Sequence, residues 1–250
     1  MMNSFEELIH PITTKEFFTK YWEKEHLVIR GACTRCTEWM KGLYTWDMFN
    51  SYLNQYPDIK GLQVLNYDGQ DGRWCLDKMV KEKKRIFDKE SIYNMWNSGK
   101  SFVIPMAEYQ NEELVKTCFN IEQYFGNGCA NVYCSPKGES KSFPPHVDQT
   151  ENFLLHAYGK TKWTIYEEFK GDEPKTIIAE YMLEPGDLLY IPTYLYHKAE
   201  SITPRISISV HFFNKKGQTL SDFKITDKSS NRRNKWYDFK KVVNENSNNK

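Results

Sequence analysis

Three side chains in this 250-residue sequence have the types and spacing of a metal site. His146 and Asp148 stand in the run Pro144-Pro145-His146-Val147-Asp148, and His197 ends the run Tyr190-Ile191-Pro192-Thr193-Tyr194-Leu195-Tyr196-His197. In an extended chain residues i and i+2 face the same way, so an H-x-D pair aims one imidazole and one carboxylate at a common point. The third ligand must come from elsewhere, and His197 lies 49 residues beyond Asp148, an interval that a barrel of short strands can close. Two imidazoles and a carboxylate on one face of an octahedral ion leave three positions open. That is the donor set of non-haem Fe(II) chemistry, in which a co-substrate and dioxygen share the metal. A lone H-x-D carries little information, so the weight rests on what flanks it.

The elements that must position these residues are short strands. From residue 130 onward the pattern predicts strands at 130–134, 146–148, 153–158, 162–166, 176–183, 188–191 and 206–213. Gly159 divides two of them, and Glu184-Pro185-Gly186-Asp187 has turn chemistry: proline presets φ and glycine accepts positive φ. Strands at such intervals point to an antiparallel barrel or jelly roll, mainly β with flanking helices. Residues 1–129 read as a mixed lead-in. A helix is expected near 14–24, a strand at 26–31, a second helix at 45–53, and a strand pair at 61–67 and 73–76 around Asp68-Gly69. Residues 1–213 are expected to form one domain, with 214–250 as a polar tail or surface helix.

With 34 basic and 33 acidic residues the net charge is +1, which gives no reason to expect nucleic acid or an anionic membrane as a partner. Lys81-Glu82-Lys83-Lys84-Arg85 reads as a solvated face. The N-terminus lacks the features of a secretory leader, no stretch is apolar enough to span a bilayer, and a cytoplasmic address is expected. Six cysteines in a chain of this size are expected to remain thiols. Cys33-Thr34-Arg35-Cys36 lacks the second pair that zinc would require.

Several strings occur together here: Pro145-His146-Val147-Asp148, Asn152-Phe153-Leu154-Leu155-His156, Gly159-Lys160-Thr161-Lys162-Trp163, and Leu183-Glu184-Pro185-Gly186-Asp187-Leu188-Leu189-Tyr190-Ile191-Pro192. On these strings the segment resembles the cupin-like JmjC family of Fe(II)/2-oxoglutarate oxygenases. The front of the chain, with Tyr21-Trp22-Glu23-Lys24-Glu25-His26-Leu27-Val28-Ile29-Arg30-Gly31, is similar to the lead-in of ribosomal-oxygenase-like members. The 37 residues of 214–250 are too few for the winged-helix module such members carry after the barrel.

The resemblance implies Fe(II) held by His146, Asp148 and His197, with 2-oxoglutarate and O2 consumed, succinate and CO2 formed, and a substrate C–H bond hydroxylated. The family pattern gives a lysine or arginine to the position two residues after Gly159, to meet the distal carboxylate of 2-oxoglutarate. Here that position is Thr161. Lys162 is the first substitute and Lys160 the second, although simple alternation points both away from Thr161's face. Arg205 is a further candidate, because some related oxygenases use an arginine on the strand after the distal histidine. Asn152 is expected near the metal-binding end of 2-oxoglutarate, on the alternation it shares with His146, Asp148 and His156. His211 and Tyr133 are candidate donors to the co-substrate or the ligands, with hydrogen-bonded core residues as the alternative for His156, His211 and Tyr133. A protein or peptide side chain is the first expectation for the substrate, followed by a free amino acid or small metabolite. A homodimer through terminal helices is a further expectation. Two rivals remain: a metal-binding cupin scaffold without turnover, and a cupin enzyme that uses metal without 2-oxoglutarate.

Overall fold

The computed structural model describes residues 4–31, 34–54, 62–65, 89–125, 128–140, 142–148, 150–167, 176–193 and 195–212. The turn at Asp68-Gly69, the strand at 73–76, the basic run at 81–85, the side chains of Cys33 and Cys36, Phe213 and the 214–250 tail lie outside them. Ten strands are described: β1 (Leu27–Ile29), β2 (Gln63–Val64), β3 (Phe102–Ile104), β4 (Gly128–Ser135), β5 (Glu151–Tyr158), β6 (Thr161–Tyr166), β7 (Ile177–Leu183), β8 (Leu188–Ile191), β9 (His197–Ser201) and β10 (Arg205–Phe212). They form a seven-stranded sheet, β1-β8-β5-β10-β4-β3-β2, and a three-stranded sheet, β7-β6-β9. Every pairing is antiparallel, and the two sheets make the jelly roll.

β10 sits at the middle of the larger sheet, and its alternation explains the layers. Ile206, Ile208, Val210 and Phe212 join the core on one side, with Phe153, Leu155 and Ala157 of β5 and Ala130, Val132 and Cys134 of β4. The helical lead-in covers that face through Phe5, Phe17, Trp22 and Phe125, packed edge-on or tilted against Phe153, Tyr190 and Phe212. Between the sheets lies a second, smaller cluster of Leu154, Trp163, Ile165, Leu183, Leu189 and Ile191. Cys118, Cys129 and Cys134 are free thiols. Among the described residues no helix is long and apolar enough to cross a membrane.

Three expectations change. The helix expected near 14–24 is a short α-turn, Thr14–Glu16, followed by a π-turn, Phe17–Tyr21, with Thr13 as the capping residue. Residues five apart on an α-helix differ by about 140° around the axis, so Phe17 and Trp22 could not both enter the core. The i to i+5 bond from Trp22 N to Phe17 O, 2.9 Å, brings both inward. The segment 146–148 is not a strand: His146 alone bridges to His197. Pro144 and Pro145 have no N–H to give a ladder, so the approach to His146 is unpaired. His197 begins β9, a strand absent from the expected set, and β2 pairs with β3. Helices Thr34–Leu43, Lys89–Asn97 and Glu112–Phe125 were also outside the expected set, while the helix at 45–53 is found as Trp46–Asn54 with Thr45 capping Met48 N.

The turn between β7 and β8 ties the lead-in to the barrel. Gly186 takes φ +98°, and Asp187 accepts from Gly31 N at 2.8 Å, Glu184 N at 3.0 Å and Arg30 Nη1 at 2.7 Å. A buried carboxylate with two backbone donors closes the turn and holds the end of β1 at once. Asp187→Ala is expected to cost about 1.5–3 kcal/mol, read as a lower urea midpoint.

Candidate active site

His146 and His197 are joined by two reciprocal main-chain bonds, His146 N to His197 O at 3.0 Å and His197 N to His146 O at 2.9 Å. The rings stand 4.5 Å apart between centroids. Each ring donates from Nδ1 to a carbonyl, His146 to Pro144 O and His197 to Leu195 O, both at 2.8 Å. A carbonyl only accepts, so both Nδ1 atoms carry hydrogen and both Nε2 atoms present lone pairs. Those Nε2 atoms lie 3.7 and 3.5 Å from Asp148 Oδ1 and Oδ2, too long for hydrogen bonds but suited to convergence on one ion. The potential ligand atoms of the three residues all lie within 4.8 Å of one another. Burial, then His197, holds His146 below the ordinary histidine value, which favours the neutral ring a metal needs. Burial alone would raise Asp148, but His197 first, then His146 and His211, keep its carboxyl below the usual range.

Neighbouring strands hold these ligands. Asn152 Nδ2 donates to Asp148 Oδ2 at 2.8 Å, and Asn152 Oδ1 accepts from Ser209 Oγ at 3.3 Å. The loop before His197 is pinned by buried Glu151, which accepts from Thr193 N and Oγ1 on one oxygen and from the Tyr190 hydroxyl on the other.

The triad opens into a cavity of about 480 Å³, mouth included, lined also by Tyr133, Phe143, Trp163, Arg205, Ser207 and Ser209. On β10 the cavity side is Arg205, Ser207, Ser209 and His211, all buried. Burial pushes the Arg205 guanidinium down to about 10, so it remains charged at neutral pH. Nε donates to Ser135 Oγ at 3.1 Å and Nη2 makes a long 3.5 Å contact with Ser142 Oγ. Among the described residues no carboxylate lies within ion-pairing distance of it.

Comparison with known proteins adds a lineage to this geometry. Residues 105–220 match the JmjC domain family. This part of the chain belongs to that family. The chain is 30% identical over 215 residues to Ribosomal oxygenase 2 of Rattus norvegicus, covering 79% of this chain and 44% of the relative. It is 25% identical over 210 residues to the bifunctional lysine-specific demethylase and histidyl-hydroxylase NO66 of Branchiostoma floridae, covering 82% of this chain and 32% of the relative. It thus spans less than half the length of these relatives. The fold is similar to that of YcfD, a ribosomal oxygenase from Escherichia coli solved in complex with cobalt and 2-oxoglutarate. The TM-score is 0.56 at 16% identity, over 85% of this chain and 54% of that one.

The structure sorts the residues that the JmjC pattern singled out. Asn152, Tyr133 and Arg205 line the cavity. Lys160 and Lys162, the expected substitutes for the missing β6 cation, do not: their ammonium groups pair with Glu184 at 2.6 Å and Glu180 at 2.7 Å on the solvent side. β6 is regular through Thr161, Lys162 and Trp163, so no bulge turns Lys162 inward, and Lys160 stands just before the strand. Thr161 faces inward and is fully buried. Asn152 contacts the Asp148 carboxylate itself. His211 lies beside Cys129, with Nε2 and Sγ 3.0 Å apart, and its Nδ1 is 3.4 Å from Ser209 O. His156 donates from Nε2 to Gly159 O at 2.9 Å and accepts at Nδ1 from Ser207 Oγ at 2.9 Å, a satisfied core histidine pushed down to about 4 by burial. Ser142, Phe143, Ser207 and Ser209 were not anticipated; the alternation Arg205-x-Ser207-x-Ser209-x-His211 is the signal that reveals the serines.

The donor set of this JmjC domain fits a divalent metal, since two free Nε2 lone pairs and an ionised carboxylate converge and each has its supporting bond. Asn152→Ala is expected to weaken metal binding about 10–100-fold without unfolding the chain, read by titration with Mn(II). His156 sets a stability term of known sign. Between pH 6.5 and about 4 the unfolded chain binds a proton there that the folded chain refuses. Its contribution is therefore full above pH 6.5 and lost as pH falls toward 4, on the order of 3 kcal/mol. Urea midpoints across that window should fall with pH, and His156→Gln should flatten the slope.

Proposed function

We propose that the chain is an Fe(II)- and 2-oxoglutarate-dependent oxygenase that hydroxylates a side chain of a protein or peptide. The observation that carries this reading is the pair of Nδ1-to-carbonyl bonds, which leaves two imidazole Nε2 atoms and Asp148 facing one point at the cavity. The names of the relatives, ribosomal oxygenase and histidyl-hydroxylase, support the reaction type and the choice of a protein substrate.

Iron bound there would supply oxidative decarboxylation: substrate C–H, 2-oxoglutarate and O2 become C–OH, succinate and CO2. The chain's own part is positional. His146, Asp148 and His197 would hold the ion, and they face the cavity. Asn152 fixes the carboxylate oxygen that would otherwise rotate, and Glu151 fixes the loop that carries His197. Leu154, Trp163 and Ala199 keep the cavity wall apolar and exclude water from the reacting groups. His146 and Asp148 are the exposed side of the triad and His197 the buried side, so a peptide side chain approaches over Asp148.

Pure chain incubated with Fe(II), ascorbate and labelled 2-oxoglutarate is expected to release labelled succinate, faster when peptides from a substrate library are added. His146→Ala or Asp148→Ala should reduce release to background. EDTA should do the same, reversibly on adding Fe(II). Full turnover in either variant would remove the assignment.

A further inference from the structure

We propose that Cys129 and His211 form an activated thiol at the rim of the barrel, a thiol–disulfide exchange site that takes a low-molecular-weight disulfide. The site is separate from the metal triad and does not depend on the oxygenase reading.

Cys129 and His211 stand directly opposite one another in the ladder of β4 and β10, each one residue in from the end of its strand. Alternation places Cys129 on the face of Asn131 and Tyr133, away from Ala130, Val132 and Cys134 in the helix-side core. On its other flank His211 is opposite Asn152 of β5, so the pair lies one ladder step from the side chain that holds Asp148.

The roles follow from hydrogen-bond direction. Cys129 Sγ and His211 Nε2 are 3.0 Å apart, and His211 Nδ1 lies 3.4 Å from Ser209 O. A carbonyl only accepts, so Nδ1 carries the ring hydrogen and Nε2 presents its lone pair to the thiol. Burial holds the ring below the ordinary histidine value, which keeps that lone pair available. Nucleophile, base and the group that orients the base thus stand in sequence, the order that activates a thiol. Sulfur and nitrogen bound to one tetrahedral ion would be about 3.5 Å apart, so the shorter separation describes a direct S–H to N bond and not a pair of metal ligands.

Access separates Cys129 from the other described thiols. Cys118 and Cys134 are fully buried, and burial pushes the Cys134 thiol up, away from thiolate. Cys129 is half-buried, which admits a slim electrophile more readily than a bulky one. A disulfide of ordinary thiols suits the pair, because its leaving group needs back the proton that the base has taken. His211 Nε2 takes the S–H proton as Cys129 Sγ attacks one sulfur of R–S–S–R. The bond from Cys129 to that sulfur forms, the R–S–S–R bond breaks, and the departing RS⁻ recovers the proton from His211. The products are a mixed disulfide on Cys129 and one RSH: the protein sulfur is oxidised, the departing sulfur is reduced, and an added dithiol reverses the step.

The test uses the full chain at neutral pH with cystamine as the probe, quenched at intervals and read by intact mass and peptide mapping. Cys129 in the folded chain is expected to form the mixed disulfide about threefold or more faster than the same cysteine in the urea-unfolded chain, since the thiolate gained beside His211 outweighs the nucleophilicity lost with it. Cys118 and Cys134 should stay unmodified, and dithiothreitol should restore the original mass. His211→Gln should remove the advantage of the folded chain while reacting like wild type in urea, which assigns the loss to the folded geometry. A folded rate equal to or below the unfolded rate overturns the proposal, and so does an unchanged rate in folded His211→Gln. Modification of Cys118 and Cys134 at the rate of Cys129 reads global opening of the chain and also overturns it. Should His211→Gln fail to fold, the comparison of folded with unfolded wild type decides alone.

Discussion

The central strands of the larger sheet are buried on both faces, and the two faces obey opposite rules. β10 packs Ile206, Ile208, Val210 and Phe212 against the helical lead-in and turns Arg205, Ser207, Ser209 and His211 toward the second sheet. Burying four polar side chains in a row is tolerable only if each finds partners. Arg205 is taken by Ser135, Ser207 by His156, Ser209 by Asn152 and His211 by Cys129. These bonds fix the wall of the cavity, so the same alternation that builds the core also builds the site.

The candidate metal ligands depend on that wall and on one main-chain bridge. His146 and His197 come from separate segments, and their reciprocal N–H to C=O bonds set the separation of the two rings before any ion binds. Ring rotation is then removed by the carbonyls of Pro144 and Leu195, and carboxylate rotation by Asn152. Little reorganisation is left for a metal to drive, which is the condition for a site whose open positions must face one way.

Much of the fold was legible in the alternation of residues 128–212 and in its turns. The segment 188–191 is a strand with the bounds expected of it, and the Glu184–Asp187 turn falls where proline and glycine place it. Where reading along the chain went astray, the cause was nonlocal. The π-turn at Phe17–Tyr21 exists because Phe17 and Trp22 both have a place in an aromatic core assembled from distant strands. The 146–148 segment has strand-like alternation, yet no neighbour ladders with it beyond a single bridge. β9 was hidden because its residues, His197–Ser201, are neither apolar nor alternating enough to announce a strand; β6 supplies the pairing.

The sequence by itself determined the three candidate ligand side chains, the strand-rich class and the absence of a basic residue at Thr161, because each is carried by residue type and by the strings that flank it. Only the tertiary structure decided where the buried cation lies. Lys162 and Lys160 stood ahead of Arg205 as substitutes although alternation already pointed them away from Thr161's face; a register that points two of them at surface glutamates and the third into a cavity without a counter-charge reverses that order. Direction and desolvation are properties of packed strands, and neither is written in a run of residues read alone.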